Sequence, residues 1–243
     1  MSPVGPDRRE EALRAANRSR GLGGRRESGG RRRGARRGVW RRSSRRDGLR
    51  LIAAALALYL ILRTFVVEAY RIPSASMERT LLAGDFLLVN KLRYGARVPT
   101  TSVRLPGWRA PQHGDVIVFT WPVDPDKHFV KRLVGVPGDT LRMRDGQLER
   151  NGVPVQEPWV FRTAGPRDTA RESWGPVVVP ARHFFVLGDH RDNSLDSRYW
   201  GFVPEPRLIG APWRLYFSIT PDSTSVIPRW GQVRWARIGR AVE

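Results

Sequence analysis

The chain has 243 residues, enough for one or two domains with a buried core. It carries 43 basic against 23 acidic residues, a formal net charge of +20, and only Lys91, Lys127 and Lys131 among the basic residues are lysines. Because there is no cysteine, disulfide scaffolds, zinc ribbons, iron–sulfur sites and thiol catalysis are excluded. The four histidines lack the spacing of a metal site, so we expect no metal and no other cofactor.

Residues 1–48 form a segment rich in Arg, Gly and Ser with almost no aliphatic side chains. Such a segment cannot bury enough apolar surface to offset its ordering entropy, so we predict a disordered tail. The first fifty residues hold 17 arginines and five acids. Positively charged segments stay on the cytoplasmic side of a membrane, which predicts a cytoplasmic tail that orients the chain. We expect no specific nucleic acid partner.

Residues 49–67 predict a single transmembrane signal anchor. They contain the apolar run LIAAALALYLIL at residues 51–62, and Arg50 and Arg63 can snorkel toward the two membrane surfaces. At about 1.5 Å per residue this helix spans roughly 28 Å, close to the ~30 Å hydrocarbon core. A buried core helix is one alternative. A cleavable signal peptide with partial twin-arginine character is another, although RTFVVEAY offers no small-x-small cleavage site.

Residues 68–243 predict a mainly β extracytoplasmic catalytic domain, with antiparallel strands. Short apolar runs alternate with Gly, Pro, Asp and Asn, and two hairpin turns are indicated at Asp145-Gly146 and Asn151-Gly152. A less apolar stretch at roughly 145–180 predicts a small inserted subdomain. The predicted strands cover residues 85–90, 115–121, 128–136, 140–144, 147–150, 176–179, 183–187 and 213–219.

Three dense blocks carry the candidate chemistry, because phosphate-binding, dinucleotide-binding and GxSxG motifs are all missing. The first is RIPSASMERTLLAGDFLLVNK at residues 71–91, just past the predicted membrane exit. The second is HFVKRLVGVPGDTL at residues 128–141, and the third is GDHRDNSLDSRYWGFVP at residues 188–204. The third block has too many polar side chains for a surface turn, so we predict a buried hydrogen-bonding network there.

Lys131 is a candidate general base. If residues 128–136 form a strand, Phe129, Lys131 and Leu133 share one face, which gives the lysine apolar neighbours. A buried ammonium can lose its proton near neutral pH, whereas a guanidinium stays charged. In a chain that otherwise uses arginine, a lysine at this place suggests a role that requires deprotonation. A lysine at a strand edge with its charge in solvent is the structural alternative.

Taken in this order after one membrane anchor, the three blocks resemble bacterial type I signal peptidases, membrane-bound serine endopeptidases with a Ser/Lys dyad. The resemblance covers about residues 50–217. It implies that Ser76 is the nucleophile and Lys131 the general base. It also implies that Ser74, together with the backbone N–H of Ser76, forms the oxyanion hole.

The resemblance further implies three supporting residues. Ser194 matches the hydroxyl that orients the lysine, and Asp196 and Arg198 match a salt-bridged pair. The chain departs from the family pattern at Ala75, where Gly is frequent, and at Arg79, where Pro is common. Both departures affect only the expected rigidity of the turn.

The resemblance also implies the partners and the location. The substrates are signal-peptide-bearing preproteins with small residues at the cleavage site, typically Ala-x-Ala. The enzyme is expected in the bacterial plasma membrane as a single-pass protein, with the lipid bilayer as a further partner. Ser76 lies nine residues past Val67, so the active site is expected near the outer membrane surface.

Four other interpretations remain open. A Ser/His/Asp arrangement could use Ser76, His190 and Asp192. A self-cleaving repressor-type Ser/Lys protease is disfavoured by the membrane span, and an ER-type signal peptidase with a histidine base by Lys131. A non-enzymatic membrane protein with a basic tail leaves the second and third blocks unexplained.

The C-terminal residues 229–240, RWGQVRWARIGR, interleave Trp230 and Trp235 with four arginines. Tryptophan prefers the membrane interface and arginine binds lipid phosphates. This pattern suggests a segment that docks the catalytic domain on the bilayer, with a solvated tail as the alternative.

Overall fold

The computed structural model of the chain describes residues 45–98, 101, 103–163, 169–221 and 230–242. The predicted cytoplasmic tail therefore lies outside the described residues, apart from its last four positions. Those four positions begin the first helix, α1, which runs from Arg45 to Ile61 and continues as a π-helical turn over Leu62–Val66.

Helix α1 has the features of the predicted span. Asp47–Val66 is long and apolar enough to cross a membrane, and none of it is buried inside the protein. Large apolar side chains are exposed along its whole length, including Leu49, Ile52, Leu56 and Leu60. A core helix would bury at least one face. The structure therefore disagrees with the buried-helix alternative.

The rest of the described chain is mainly antiparallel β, as predicted. The strands are β1 (Val67–Arg71), β2 (Asp85–Asn90), β3 (Val116–Thr120), β4 (His128–Gly135), β5 (Thr140–Arg144), β6 (Gln147–Arg150), β7 (Val153–Pro154), β8 (Trp174–Val178), β9 (His183–Leu187), β10 (Val203–Pro204) and β11 (Leu208–Ser218). The short helices are α2 (Thr169–Glu172) and α3 (Ser197–Trp200), with 3-10 turns at Arg191–Asn193, Glu205–Arg207, Trp230–Gln232 and Trp235–Arg237.

Seven strands form the main sheet in the order β1-β2-β11-β3-β4-β9-β10, with every pair antiparallel. Register shifts interrupt the pairing of β11 with both neighbours and of β4 with β9. Such bulges bend a strand and increase its twist. The sheet places β4 between β3 and β9, in its interior.

A second sheet of four strands has the order β7-β6-β5-β8. It runs from Thr140 to Val178, so it starts five residues before the predicted insert. Asp145 and Asn151 have the positive φ angles that the two hairpin turns require. The insert boundaries at roughly 145–180 stay a prediction. Strand β5, which precedes them, belongs to the same four-stranded sheet.

Five strands of the structure differ from the prediction. Strand β11 begins at Leu208, five residues earlier than predicted, and β8 begins at Trp174 rather than Pro176. Strand β1 was not predicted because its first residue continues the apolar run of the anchor. The two-residue strands β7 and β10 were also missed, since two residues are too few to show a period.

The core beneath the first block fixes its position. Met77 and Leu81, from the segment between β1 and β2, are almost fully buried against Leu87 and Val118 of the main sheet. We call residues 72–84 the nucleophile loop. Its base is closed by hydrogen bonds from Ile72 N–H to Asp85 O and from Gly84 N–H to Ile72 O, both 2.8 Å.

Candidate active site

Ser76 lies in the nucleophile loop and is 8% exposed. Its Oγ is 2.6 Å from Nζ of Lys131 on β4. Its carbonyl oxygen accepts a hydrogen bond of 3.1 Å from His190 N–H, which belongs to the third block. The fold thus brings residues from all three sequence blocks to one place.

Lys131 is buried in the interior of the main sheet, with 4% of its surface exposed. Its Nζ lies 5.3 Å from the centre of the Phe129 ring on the same face of β4, the neighbour expected from the strand period. Burial lowers the pKa of Lys131 from 10.5 to about 8, although Asp196 and Asp189 act to raise it. A lysine with this pKa has a substantial neutral fraction near neutral pH and can accept a proton.

Ser74 stands two residues before the candidate nucleophile, on the exposed side of the loop. The hydroxyl oxygens of Ser74 and Ser76 are 3.3 Å apart. Pro73 precedes this pair and fixes the backbone as it enters the turn. A hydroxyl at this distance can reach the oxygen of a carbonyl under attack by Ser76.

An open cavity of about 340 Å³ extends from the two serines along β1 and β4. Most of its wall is apolar, so it suits a few apolar side chains of a bound peptide. It is lined by Tyr70, Arg71, Ile72, Pro73, Ser74, Ser76, Met77, His128, Phe129, Val130, Lys131, Asn193 and Leu195.

Asp196 and Arg198 form the predicted salt bridge, which is fully buried. Nε and Nη2 of Arg198 lie 2.8 and 2.9 Å from the two carboxylate oxygens, and Arg198 also donates to the Arg191 carbonyl. Asp196 accepts a further bond from Gly188 N–H. Burial acts to raise the pKa of Asp196, but the hydrogen bonds and charge of Arg198, together with the Gly188 N–H, outweigh it and lower that pKa.

Ser194 is buried beside the dyad, 5% exposed. Among the described residues its hydroxyl has no hydrogen-bond partner of good geometry, but it lies close enough to Asp196 to help lower the pKa of that carboxyl. A Cβ on Gly188 would lie 2.2 Å from Ser194 Oγ and 2.6 Å from the Ser76 carbonyl oxygen. Only glycine at 188 therefore lets these two serines approach each other.

Sequence reasoning missed the buried ion pair between Arg132 and Asp189, which lies beside the site. Arg132 projects from the opposite face of β4 to Lys131, and its Nε and Nη2 lie 2.8 and 2.7 Å from the two oxygens of Asp189. The hydroxyl of Thr80 donates to Asp189 and accepts from Arg132. Both residues lie in blocks that the sequence analysis singled out, Arg132 directly after Lys131 and Asp189 in the third block. The sequence does not indicate that they bind each other.

The Ser/His/Asp alternative is not supported by the geometry. Nδ1 of His190 lies 3.1 Å from a carboxylate oxygen of Glu78, and its ring packs edge-on against Phe161. The carboxylate of Asp192 accepts a hydrogen bond from Thr163 N–H. Among the described contacts, His190 is linked to Ser76 through its backbone N–H and not through its ring.

Comparisons with known proteins identify the family of the chain. Residues 45–216 match the family model described as signal peptidase, peptidase S26. The chain belongs to this family of signal peptidases. It is therefore a serine endopeptidase that cleaves signal peptides, and the family resemblance predicted from the three blocks is confirmed.

Curated S26 relatives cover most of the chain. The signal peptidase I of Pseudomonas fluorescens is 37% identical over 211 residues, which cover 73% of this chain and 74% of that protein. That of Aquifex aeolicus is 31% identical, covering 73% of this chain and 88% of its own. A signal peptidase I crystal structure from Enterococcus faecalis is 32% identical over 42% of this chain and 97% of its own, with a TM-score of 0.37.

Proposed function

We propose that this S26 peptidase is a membrane-bound signal peptidase in which Ser76 is the nucleophile and Lys131 the general base. The observation that carries the proposal is the 2.6 Å contact between Ser76 Oγ and the Nζ of a buried lysine. An unactivated serine is a weak nucleophile and needs an adjacent base. Lys131 has the position and the lowered pKa for that role.

The reaction follows from this geometry. Neutral Lys131 accepts the hydroxyl proton of Ser76 while Ser76 Oγ attacks the carbonyl carbon of the scissile bond. Ser74 Oγ and the backbone N–H of Ser76 stabilise the negative oxygen of the tetrahedral intermediate. Protonated Lys131 then gives its proton to the leaving amine, and an acyl group remains on Ser76. Neutral Lys131 then deprotonates a water molecule that attacks the acyl carbon, the bond to Ser76 Oγ breaks, and Lys131 returns the proton to Ser76 Oγ.

Ser194, Asp196 and Arg198 act as positioning residues in this proposal. The salt bridge holds the chain around Gly188, which packs on both Ser194 and Ser76. The carboxylate of Asp196 also limits how far the pKa of Lys131 falls. The supporting residues thus hold Ser76 in place and adjust the basicity of the lysine.

The cavity favours the predicted substrates, preproteins with small residues before the cleavage site. A volume of about 340 Å³ shared among several side chains leaves little room for large ones. Phe129, Val130 and Leu195 give it apolar walls. An Ala-x-Ala sequence places two small apolar side chains beside the scissile bond, which suits such walls.

Helix α1 would anchor the enzyme in the bacterial plasma membrane. Twenty residues, Asp47–Val66, give about 30 Å of helix. Nζ of Lys91 donates to the carbonyls of Arg63 and Thr64, each at 3.2 Å, and pairs with Glu68 at 2.8 Å. These bonds tie the end of the helix to the residue that follows β2, which would keep the nucleophile loop near the membrane surface where a signal peptide presents its cleavage site.

The test is cleavage of a preprotein with an Ala-x-Ala site by the full chain in detergent. Ser76→Ala should abolish cleavage, and Lys131→Arg should lower turnover by about 10² to 10⁴-fold, since an arginine cannot deprotonate. Lys127→Arg is the matched control, because Lys127 is exposed and its Nζ pairs with Asp124 and lies over the Trp121 ring, contacts that an arginine can also make.

Thermal melts of the purified variants must accompany these assays, because an obligate charge in a dry pocket can destabilise the domain. The dyad is wrong if Lys131→Arg melts like the unmodified protein and retains most of its turnover. Full activity of Ser76→Ala would overturn the nucleophile assignment itself.

A further inference from the structure

The C-terminal segment, residues 230–242, lies beyond the residues that match the family model. Its backbone nevertheless packs along β11: Gly239 N–H donates to Leu215 O at 2.8 Å and Leu215 N–H to Arg240 O at 3.0 Å. Isolated β-bridges join Val233 to Ile219 and Ala241 to Arg214. The segment is therefore an ordered part of the catalytic domain.

Two arginines of this segment bind a buried carboxylate at the base of the nucleophile loop. Nε and Nη2 of Arg237 lie 3.0 and 2.6 Å from the two oxygens of Asp85, which is fully buried. Arg234 donates to the carbonyl of Ala83 at 2.7 Å and lies 3.3 Å from Asp85. Two arginines of the predicted lipid-binding pattern are thus engaged inside the protein, which contradicts their expected role in binding lipid phosphates.

Thr80 connects these arginines to the active site. Its carbonyl accepts a hydrogen bond of 3.1 Å from Nη2 of Arg237. Its hydroxyl donates to Asp189 at 2.5 Å and accepts from Arg132 at 3.1 Å. One residue of the nucleophile loop is therefore held from the C-terminal segment on one side and from the buried ion pair on the other.

The ion pair lies next to both members of the dyad. Arg132 follows Lys131 on β4, and Asp189 precedes His190, whose N–H binds the carbonyl of Ser76. A shift of the nucleophile loop would therefore change the distance between Ser76 Oγ and the lysine, while β4 itself remains held within the sheet. Among the described residues, no other arginine contacts both Asp85 and Thr80.

We propose that Arg237, assisted by Arg234, is a positioning residue for peptide-bond cleavage: through Asp85 and Thr80 it holds the nucleophile loop at the distance at which Lys131 can deprotonate Ser76. This rests on the proposed Ser/Lys mechanism and extends it to a segment outside the family match. The cavity walls on β4 do not depend on this contact, so substrate binding should change less than turnover.

The test compares Arg237→Gln with Arg240→Gln in the full chain, using cleavage of the Ala-x-Ala preprotein. Arg240 is exposed on the same segment, so its substitution makes the same change of charge without touching Asp85. Misplacing a reacting group by about 1 Å can cost about 10²-fold in rate. We expect kcat of Arg237→Gln to fall about 10- to 100-fold with KM changed less than about threefold, and Arg240→Gln to remain near the unmodified protein.

A second variant separates positioning from loss of folding. Arg237→Lys keeps a positive charge on Asp85 but cannot bond both carboxylate oxygens and the Thr80 carbonyl at once. We expect it to fold and to show a kcat between those of Arg237→Gln and the unmodified protein. If Arg237→Lys melts normally and has unmodified kcat, or if Arg237→Gln matches Arg240→Gln, the positioning role is wrong.

Failure of this proposal can be distinguished from failure of the proposed mechanism. Ser76→Ala is assayed in the same series. Inactive Ser76→Ala together with fully active Arg237→Gln would overturn only the role of the C-terminal segment. Active Ser76→Ala would overturn the mechanism on which that role depends.

Discussion

Residues 131 and 132 are a lysine and an arginine whose side chains lie on opposite faces of β4 and have different chemistry. Lys131 Nζ meets the hydroxyl of Ser76, whereas Arg132 binds Asp189 through two parallel hydrogen bonds. A guanidinium suits the planar carboxylate because its fork of donors is rigid and always charged. The ammonium suits the serine because burial can remove its proton.

This titration has a cost in stability. Lowering the pKa of Lys131 from 10.5 to about 8 corresponds to about 3 kcal/mol of lost stabilisation of the charged form. Between pH 8 and 10.5 the unfolded chain holds a proton that the folded chain has released. The contribution of Lys131 therefore makes the free energy of unfolding rise with pH across this window, and it remains at its least favourable value below pH 8.

The same pKa predicts the pH dependence of cleavage. Only neutral Lys131 can accept the Ser76 proton, so kcat/KM should rise about tenfold per pH unit below pH 8 and level off above it. The measurement is kcat/KM for the Ala-x-Ala preprotein from pH 6 to 9.5, with a melt at each pH to confirm folding. A rate that is constant from pH 6 to 8 in folded protein would be inconsistent with Lys131 as the titrating base.

At the scale of the element, the nucleophile loop depends on one unusual backbone position. Arg79 has a φ of +79°, in the left-handed region that non-glycine residues seldom adopt. The family pattern often has proline here, but a proline ring fixes φ near −65°. This chain therefore folds its turn in a way that a proline could not follow, which goes beyond the loss of rigidity expected from the sequence.

Substitutions at Arg79 should separate these effects. Arg79→Pro should lower the free energy of unfolding by about 2 to 3 kcal/mol or more, because the ring cannot reach a positive φ. Arg79→Gly should be neutral or stabilising by up to about 1 kcal/mol, since glycine removes the strain. Both substitutions also remove the hydrogen bond from the Arg79 guanidinium to the Val160 carbonyl, which is exposed and contributes little.

The measurement is chemical or thermal unfolding of the full chain in detergent, with Arg144→Gly as the matched control. Arg144 is exposed on β5, where glycine costs about 0.5 to 1 kcal/mol. Arg79→Gly should thus avoid the loss of stability that is expected for Arg144→Gly. Equal destabilisation by both would show that the turn at Arg79 is not strained.

At the scale of the whole molecule, α1 and the sheet are joined without a linker. The π-helical turn ends at Val66 and β1 begins at Val67. With 17 arginines among the first fifty residues, the N-terminus is expected inside and residues 68–243 outside. The catalytic domain and its substrates would then meet at the outer membrane surface.

Orientation can be tested by adding protease to right-side-out vesicles that contain the full chain. The catalytic domain should be digested and the N-terminal tail protected until detergent is added. Inside-out vesicles are the control and should give the reverse pattern. A catalytic domain that stays protected in right-side-out vesicles, yet is digested after lysis, would contradict the predicted topology.

Local features of this protein were available from sequence because they depend on neighbouring residues. The apolar run of α1, the alternation that places Lys131 beside Phe129, and the two hairpin turns all follow from spacing of a few residues. Family resemblance added the pairing of Ser76 with Lys131, which spacing alone does not give. Strand β1 was lost because its start is as apolar as the end of the anchor.

The long-range ion pairs were decided by the tertiary structure alone. Arg132 binds Asp189 across 57 residues, and Arg237 binds Asp85 across 152 residues. With 43 basic and 23 acidic residues, sequence offers many possible pairs and no rule that selects among them. Selection comes from burial: an enclosed carboxylate such as Asp85 must find a cation, and the strand order determines which arginine can reach it.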